Sequence, residues 1–77
     1  MSAESLVEYV AKALVDEPDS VTVKAVRDEE GRVIELHVAE TDMGKVIGRN
    51  GSVVKALRTL LKVKAARDGE AVSLEVV

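Results

Sequence analysis

The residues best equipped for chemistry in this chain lie between Met43 and Arg67. That stretch contains no Asp or Glu, while Lys45, Arg49, Lys55, Arg58, Lys62, Lys64 and Arg67 give it a charge of +7. All 14 acidic residues lie outside it, with four of the 11 basic ones, so the net charge of −3 conceals a strongly basic segment in an acidic molecule. Such a segment creates a local positive field suited to phosphate, although a solvated basic helix balancing acidic neighbours has the same composition. Within it stands Ile47-Gly48-Arg49-Asn50-Gly51. Glycine accepts positive φ and lacks Cβ, so two glycines at this spacing let a sugar-phosphate backbone approach main-chain N–H groups closely. A helix opening at Gly51 or Ser52 aims unpaired N–H groups and the positive end of its dipole at the same point, and Arg49 adds a full charge. A Gly-x-x-Gly pair alone is common, however. It serves equally well as a tight helix-to-helix turn with Arg49 and Asn50 merely exposed.

Other chemistries are poorly supplied. With no Cys, the chain has no disulfide, no zinc ribbon and no thiol nucleophile. His37 is the only histidine, and the nearby Glu35 and Glu40 fit a mixed-charge surface strand better than an acid-base site. The reading is therefore of a protein that is not an enzyme, with no catalytic residues, no metal, no cofactor and no small-molecule substrate. Tyr9 is the only aromatic residue, which excludes the single-strand binders that stack bases on several exposed rings, such as RRM, OB and cold-shock modules. Its 77 residues bound the chain to one small domain, residues 1–77. It starts Met1-Ser2-Ala3-Glu4, without the basic opening of a secretory signal, and no apolar run reaches membrane-spanning length. A whole, cytoplasmic protein with no membrane partner is expected.

Elements must position these residues, and hydrophobic spacing predicts them. Leu6, Val10, Ala13 and Leu14 recur at helical spacing over Ser2 to Val15, with Ser2 or Ser5 as cap and Ser5 and Glu8 as a capping box. Pro18 ends that helix. Val21, Val23 and Ala25 alternate as a half-buried strand, then Asp28-Glu29-Glu30-Gly31 turns into a second strand with Ile34, Leu36 and Val38 on one face. Thr41 or Asp42 is the expected cap of a short helix, Met43 to Ile47, stopped by Gly48. A further helix runs from Gly51 or Ser52 to about Ala66, and Val72, Leu74 and Val76 alternate in a closing strand. On the long helix Val53, Val54, Leu57, Leu60 and Leu61 share one side, while Lys55, Arg58 and Lys62 fall within about 60° of each other on the opposite one. Lys64 lands amid the apolar side, so the helix loosens there or Lys64 snorkels. The prediction is an α+β fold of order α-β-β-α-α-β, a three-stranded sheet with its helices packed on one face.

This order, with Met43-Gly44-Lys45-Val46-Ile47-Gly48-Arg49-Asn50-Gly51 in the central helical junction, resembles the type II KH domain in its small bacterial single-domain form. Leu14-Val15-Asp16-Glu17-Pro18-Asp19 and Ala56-Leu57-Arg58-Thr59-Leu60-Leu61 extend the resemblance over essentially the whole chain. It implies single-stranded RNA binding, in which a Gly-x-x-Gly loop clamps the backbone of about four nucleotides. Carried onto this sequence, Gly48, Arg49, Asn50 and Gly51 form the clamp. Lys45, Val46 and Ile47 border it on the short helix, and Ser52, Lys55 and Arg58 on the long one.

The resemblance further implies RNA chaperone activity, post-transcriptional regulation and a link to cell-wall growth and cell shape. It also implies homodimers, or pairing with a larger KH-containing RNA-binding protein. Val63, Ala65 and Ala66 offer apolar surface for such an interface, although an ordinary helix end explains them too. The turn Asp28 to Gly31 is expected to face the groove, where its three acids repel phosphate and keep affinity modest and salt-dependent. That acidic turn and the net charge leave a second reading open: an adaptor that keeps the KH shape while its partner contacts RNA.

Overall fold

Ile34, Leu36 and Val38 are the most regular apolar alternation in the chain, and the strand that carries the first two forms the middle of the sheet. The computed structural model describes residues 1–77. Strand β1 (Thr22–Asp28) pairs antiparallel with β2 (Gly31–His37), and β3 (Val72–Val76) pairs parallel with β2 on its other side. Ile34 lies beside both Ala25 and Leu74, and Leu36 beside Val23 and Val76, so the inward face of all three strands is in register. Asp28 shapes the hairpin, its Oδ1 accepting from the N–H of Glu30 (2.8 Å) and Gly31 (3.1 Å).

Three α-helices cover that inward face: α1 (Ala3–Leu14), α2 (Met43–Ile47) and α3 (Ser52–Asp68). Ala3, Val7 and Ala11 of α1, Val46 of α2 and Val54, Leu57 and Leu61 of α3 close over Ile34, Leu36, Val38, Val21 and Leu74 in one core. The expected α-β-β-α-α-β order and the one-sided layering are present, and the architecture is that of a type II KH fold.

The buried stripe of α1 differs from the expected one. Leu6 and Val10 only flank the core, Ala13 and Leu14 are exposed, and the stripe is Ala3, Val7 and Ala11. Small residues at four-residue spacing let the helix lie close to the sheet, a fit that a count of large apolar residues does not register. Ser2 is the N-cap and its Oγ accepts from Ser5 N–H at 3.1 Å. The expected Ser5–Glu8 capping box is absent, since Glu8 pairs with Lys12 one turn on. On edge strand β1, Ala25 faces inward beside Ile34 yet stays exposed.

Helix α3 does not loosen at Lys64. It continues to Asp68, and Lys64 reaches along its own surface to the Asp68 carboxylate at 3.1 Å. No helix is long and apolar enough to cross a membrane.

Candidate nucleic-acid interface

The junction of α2 and α3 is a single tight turn from Arg49 to Gly51, in which Gly51 N–H donates to Gly48 O at 3.1 Å. Three successive constraints shape it. Gly48 has φ 77° and ψ 171°, a region open essentially to glycine alone. Asn50 (φ 56°, ψ 26°) and Gly51 (φ 75°, ψ 17°) are left-handed, the conformation that Asn and Gly adopt most readily. Crowding adds to conformation at Gly48: a Cβ there would stand 2.6 Å from Val53 Cγ2 and 2.8 Å from Val53 N. The short path from α2 into α3 therefore needs glycine at 48 and a residue at ease in the left-handed region at 51, and it leaves Arg49 and Asn50 exposed at the tip.

The cations sort into two groups. Lys45 is committed within the molecule, its Nζ lying 3.2 Å from Asp16 Oδ2 and 3.6 Å from Asp42 Oδ1. Lys64 is paired with Asp68. Arg49, Lys55, Arg58, Lys62 and Arg67 make no ion pair. Lys55 lies over the turn, with its Cε 3.8 Å from where a Gly51 Cβ would be. Arg58 reaches the sheet, Nη2 donating to Leu74 O at 3.3 Å. Leu74 belongs to edge strand β3, so this bond turns the Lys55–Arg58–Lys62 side of α3 toward the open edge of the sheet. A track of uncompensated charge thus leads from Arg49 past Lys55 to Arg58.

Not every expected site residue lies on that surface. Val46 is fully buried in the core and cannot border a ligand; its position on α2 turns it onto the sheet, where it anchors the helix that carries the turn. Ile47, 36% exposed, is the apolar residue of α2 at the surface, and Ser52 is exposed at the start of α3. The acidic turn is also elsewhere. Gly31 packs on Ala71 and Arg32 N–H donates to Ala71 O at 2.9 Å, which fixes Asp28 to Gly31 beside the C-terminal end of α3. The clamp stands at the other end of that helix, a length of about 25 Å away. Parallel pairing of β2 and β3 enforces this, because α3 must run back along the sheet before β3 can begin.

Asp42 is the residue whose part sequence spacing misstated. Expected to cap α2, it makes no capping bond. Instead its carboxylate is 1% exposed and accepts from Asp16 N–H at 3.2 Å and Glu17 N–H at 3.1 Å. Burial pushes its pKa up, but the two N–H donors and Lys45 outweigh that and hold it below the usual carboxylate range. Lys45 is raised in turn, chiefly by its hydrogen bond to Asp16. The Asp42–Lys45 spacing of three is visible in the sequence. The capture of two N–H groups some 25 residues upstream is not. His37, on the outward face of β2, has Nδ1 3.3 Å from Val77 O and no ion-pair partner.

Comparison with known proteins agrees with this geometry. A family model described as the KH domain of KhpA and KhpB matches residues 4–76. The RNA-binding protein KhpA of Clostridium perfringens is 45% identical over 74 residues, covering 96% of this chain and 99% of that protein. The RNA-binding protein KhpA of Borreliella burgdorferi is 40% identical over 72 residues, covering 94% and 88%. That of Chlamydia trachomatis is 46% identical over 69 residues, covering 90% and 88%. Among solved structures, Aquifex aeolicus Era, a point variant crystallised with GDP.AlF4-, superposes with a TM-score of 0.62 at 26% identity, over 96% of this chain and 29% of its own. Fold order, turn geometry and full-length similarity converge, and the chain belongs to the KhpA/KhpB KH-domain family.

Proposed function

We propose that this protein binds single-stranded RNA, with Gly48, Arg49, Asn50 and Gly51 gripping the sugar-phosphate backbone. The observation that carries the reading is the Arg49–Gly51 turn itself. Its left-handed backbone exposes an unpaired guanidinium at the N-terminus of a 17-residue helix, with Lys55 unpaired above it. First-turn N–H groups, helix dipole and free cations all favour a phosphate at that point. The strand then follows Lys55 and Arg58 along the open edge of β3, with Ile47 as an aliphatic contact in a protein that has one aromatic residue. Distance from the Asp28–Gly31 turn removes one source of phosphate repulsion. The names of the relatives, which are RNA-binding proteins, support the same reading.

Fluorescence anisotropy of a short labelled single-stranded RNA tests it, comparing wild type with Arg49→Asp/Asn50→Asp at two salt concentrations. Asp tolerates the left-handed conformation of position 50, so the double variant keeps its fold. Binding should weaken by about 100-fold at low salt, the order expected when charged hydrogen bonds are lost and acids face phosphate. Equal binding by both proteins removes the clamp assignment. Chaperone activity, post-transcriptional control and a role in cell-wall growth and cell shape extend the proposal along the family resemblance.

A second reading concerns partners, and α3 favours it. Leu60 and Val63 are 48% and 64% exposed. They sit on the flank of α3 opposite the Lys55–Arg58–Lys62 side, the one place where two large apolar side chains of one helix stand together in solvent. A second copy, or a larger KH-containing protein, would cover them there. Partner binding and RNA binding are then compatible on one molecule, since each uses its own flank, whereas an adaptor whose partner alone contacts RNA would leave the Arg49 side unused.

A further inference from the structure

Asn50 is the only asparagine in the chain, which has no glutamine, so it holds the one side-chain carboxamide of the protein. It stands exposed at the tip of the turn. The next residue is Gly51, with no side chain to shield its main-chain nitrogen. Asparagine is chemically labile in that setting. The glycine nitrogen attacks the carboxamide carbon and closes a five-membered succinimide, while the carboxamide nitrogen leaves as ammonia with the proton of the attacking N–H. Water then opens the ring at either carbonyl, to aspartate or to isoaspartate. One water is consumed, one ammonia is released, and a neutral side chain becomes an anion.

The folded turn holds the reacting atoms apart. With Asn50 at ψ 26°, tetrahedral geometry at Cα places the Gly51 nitrogen nearly opposite Cβ, out of reach of Cγ. The Gly51 N–H is also engaged, donating to Gly48 O at 3.1 Å. Attack therefore requires Asn50 to rotate and that bond to break. No residue from Ile47 to Ser52 belongs to the buried core, so the turn can open locally while the sheet stays folded.

We propose that Asn50 is a site of covalent self-modification, where deamidation through the Gly51 nitrogen converts a phosphate-binding turn into a phosphate-repelling one. The fold accepts the product. Aspartate tolerates the left-handed region, and a carboxylate two residues before Ser52 is favoured by the positive end of α3. That end is the one a phosphate needs, so the modified protein carries its own competing anion. The functional consequence rests on the RNA-binding reading, whereas the chemistry does not. RNA gripped by the turn keeps it closed, so modification marks protein that has no RNA bound.

Intact-mass measurement during incubation in mildly alkaline buffer tests this. Replacing –NH2 by –OH raises the mass, and with one carboxamide in the chain any such gain belongs to Asn50. Asp68–Gly69 already carries an acid, so rearrangement there leaves the mass unchanged. Folded wild type should gain mass at least about tenfold more slowly than the same chain in concentrated urea. Short single-stranded RNA at about ten times its Kd should slow the folded protein about tenfold further. Asn50→Asp should show no gain and should bind that RNA about tenfold more weakly than wild type. Equal rates in buffer and urea, or no gain in either, overturn the proposal. Wild-type affinity in Asn50→Asp overturns the switch, and a gain unchanged by RNA that anisotropy shows to be bound overturns the protection. If wild type binds no RNA, the clamp reading and the switch fall together, while the mass gain still establishes the modification.

Discussion

Asp42 is where one side chain ties three pieces of chain together. It starts α2, it holds the main chain of Asp16 and Glu17 after α1, and it keeps Lys45 beside it. A buried carboxylate survives only when its charge is compensated, and here two N–H donors and an ammonium do so. The folded protein therefore binds a proton at Asp42 less readily than the unfolded chain, whose value is about 3.8. Stability from this group is fully present above that value and is lost as pH falls through the lower folded value. Urea unfolding of wild type and Asp42→Asn between pH 3 and 7 checks this. The variant should be clearly less stable near neutrality, and the gap should narrow below about pH 4. A gap constant with pH would mean that the carboxylate's charge contributes nothing. Lys45, held by this group and by Asp16, is the expected clamp residue least free to meet phosphate, and Lys45→Ala should cost RNA affinity less than Arg49→Ala in the same anisotropy assay.

At the scale of elements, the helix–turn–helix from Met43 to Asp68 was legible because its signals are local. Gly48 and Gly51 break the helical pattern at a fixed spacing, and alternation marked Ile34, Leu36, Val38, Leu74 and the hairpin between β1 and β2. What stayed hidden depended on distant neighbours. Helix α1 buries Ala3, Val7 and Ala11 because the sheet beneath admits a close approach, and Val46 turns inward because it sits on the sheet-facing side of α2. The family resemblance points the acidic turn at the groove, whereas its position follows from the parallel pairing of β2 and β3. The two clamp glycines now separate physically. Gly48→Ala meets both a forbidden backbone region and the Val53 N–H, and should destabilise by about 3 kcal/mol or more. Gly51→Ala meets no atom closer than 3.8 Å and should cost about 1 kcal/mol, with Gly51→Asn nearer to wild type. Equal losses for both alanine variants in denaturant titration would mean that a shift of the turn and of α3 relieves both the backbone strain at position 48 and the crowding at Val53.

For the whole molecule, an acidic protein presents a basic surface at one end and leaves an apolar flank of α3 uncovered. Asp16 and Asp42 lie beside α2, where Lys45 pairs with both, and Arg32 draws Glu4 and Glu70 together at the end of the sheet that carries the hairpin turn. The opposite end keeps Arg49, Lys55 and Arg58 without carboxylate partners, so the −3 total says little about the field a nucleic acid meets on approach. Helix α3 then divides the remaining surface. One flank turns through Arg58 to the edge of β3, the other carries Leu60 and Val63, and the core-facing residues lie between them. If the two flanks serve different partners, their losses must dissociate. Leu60→Asp/Val63→Asp should lower self-association in analytical ultracentrifugation while short-RNA affinity stays within about twofold, since the new acids lie across the helix and are screened over a Debye length of roughly 8 Å at physiological salt. Arg49→Asp/Asn50→Asp should do the reverse, abolishing RNA binding with sedimentation unchanged. Parallel loss of both properties in either variant would instead make one continuous surface of RNA and partner. RNA would then bind across the interface of an assembly, and a single copy would hold only half of the site.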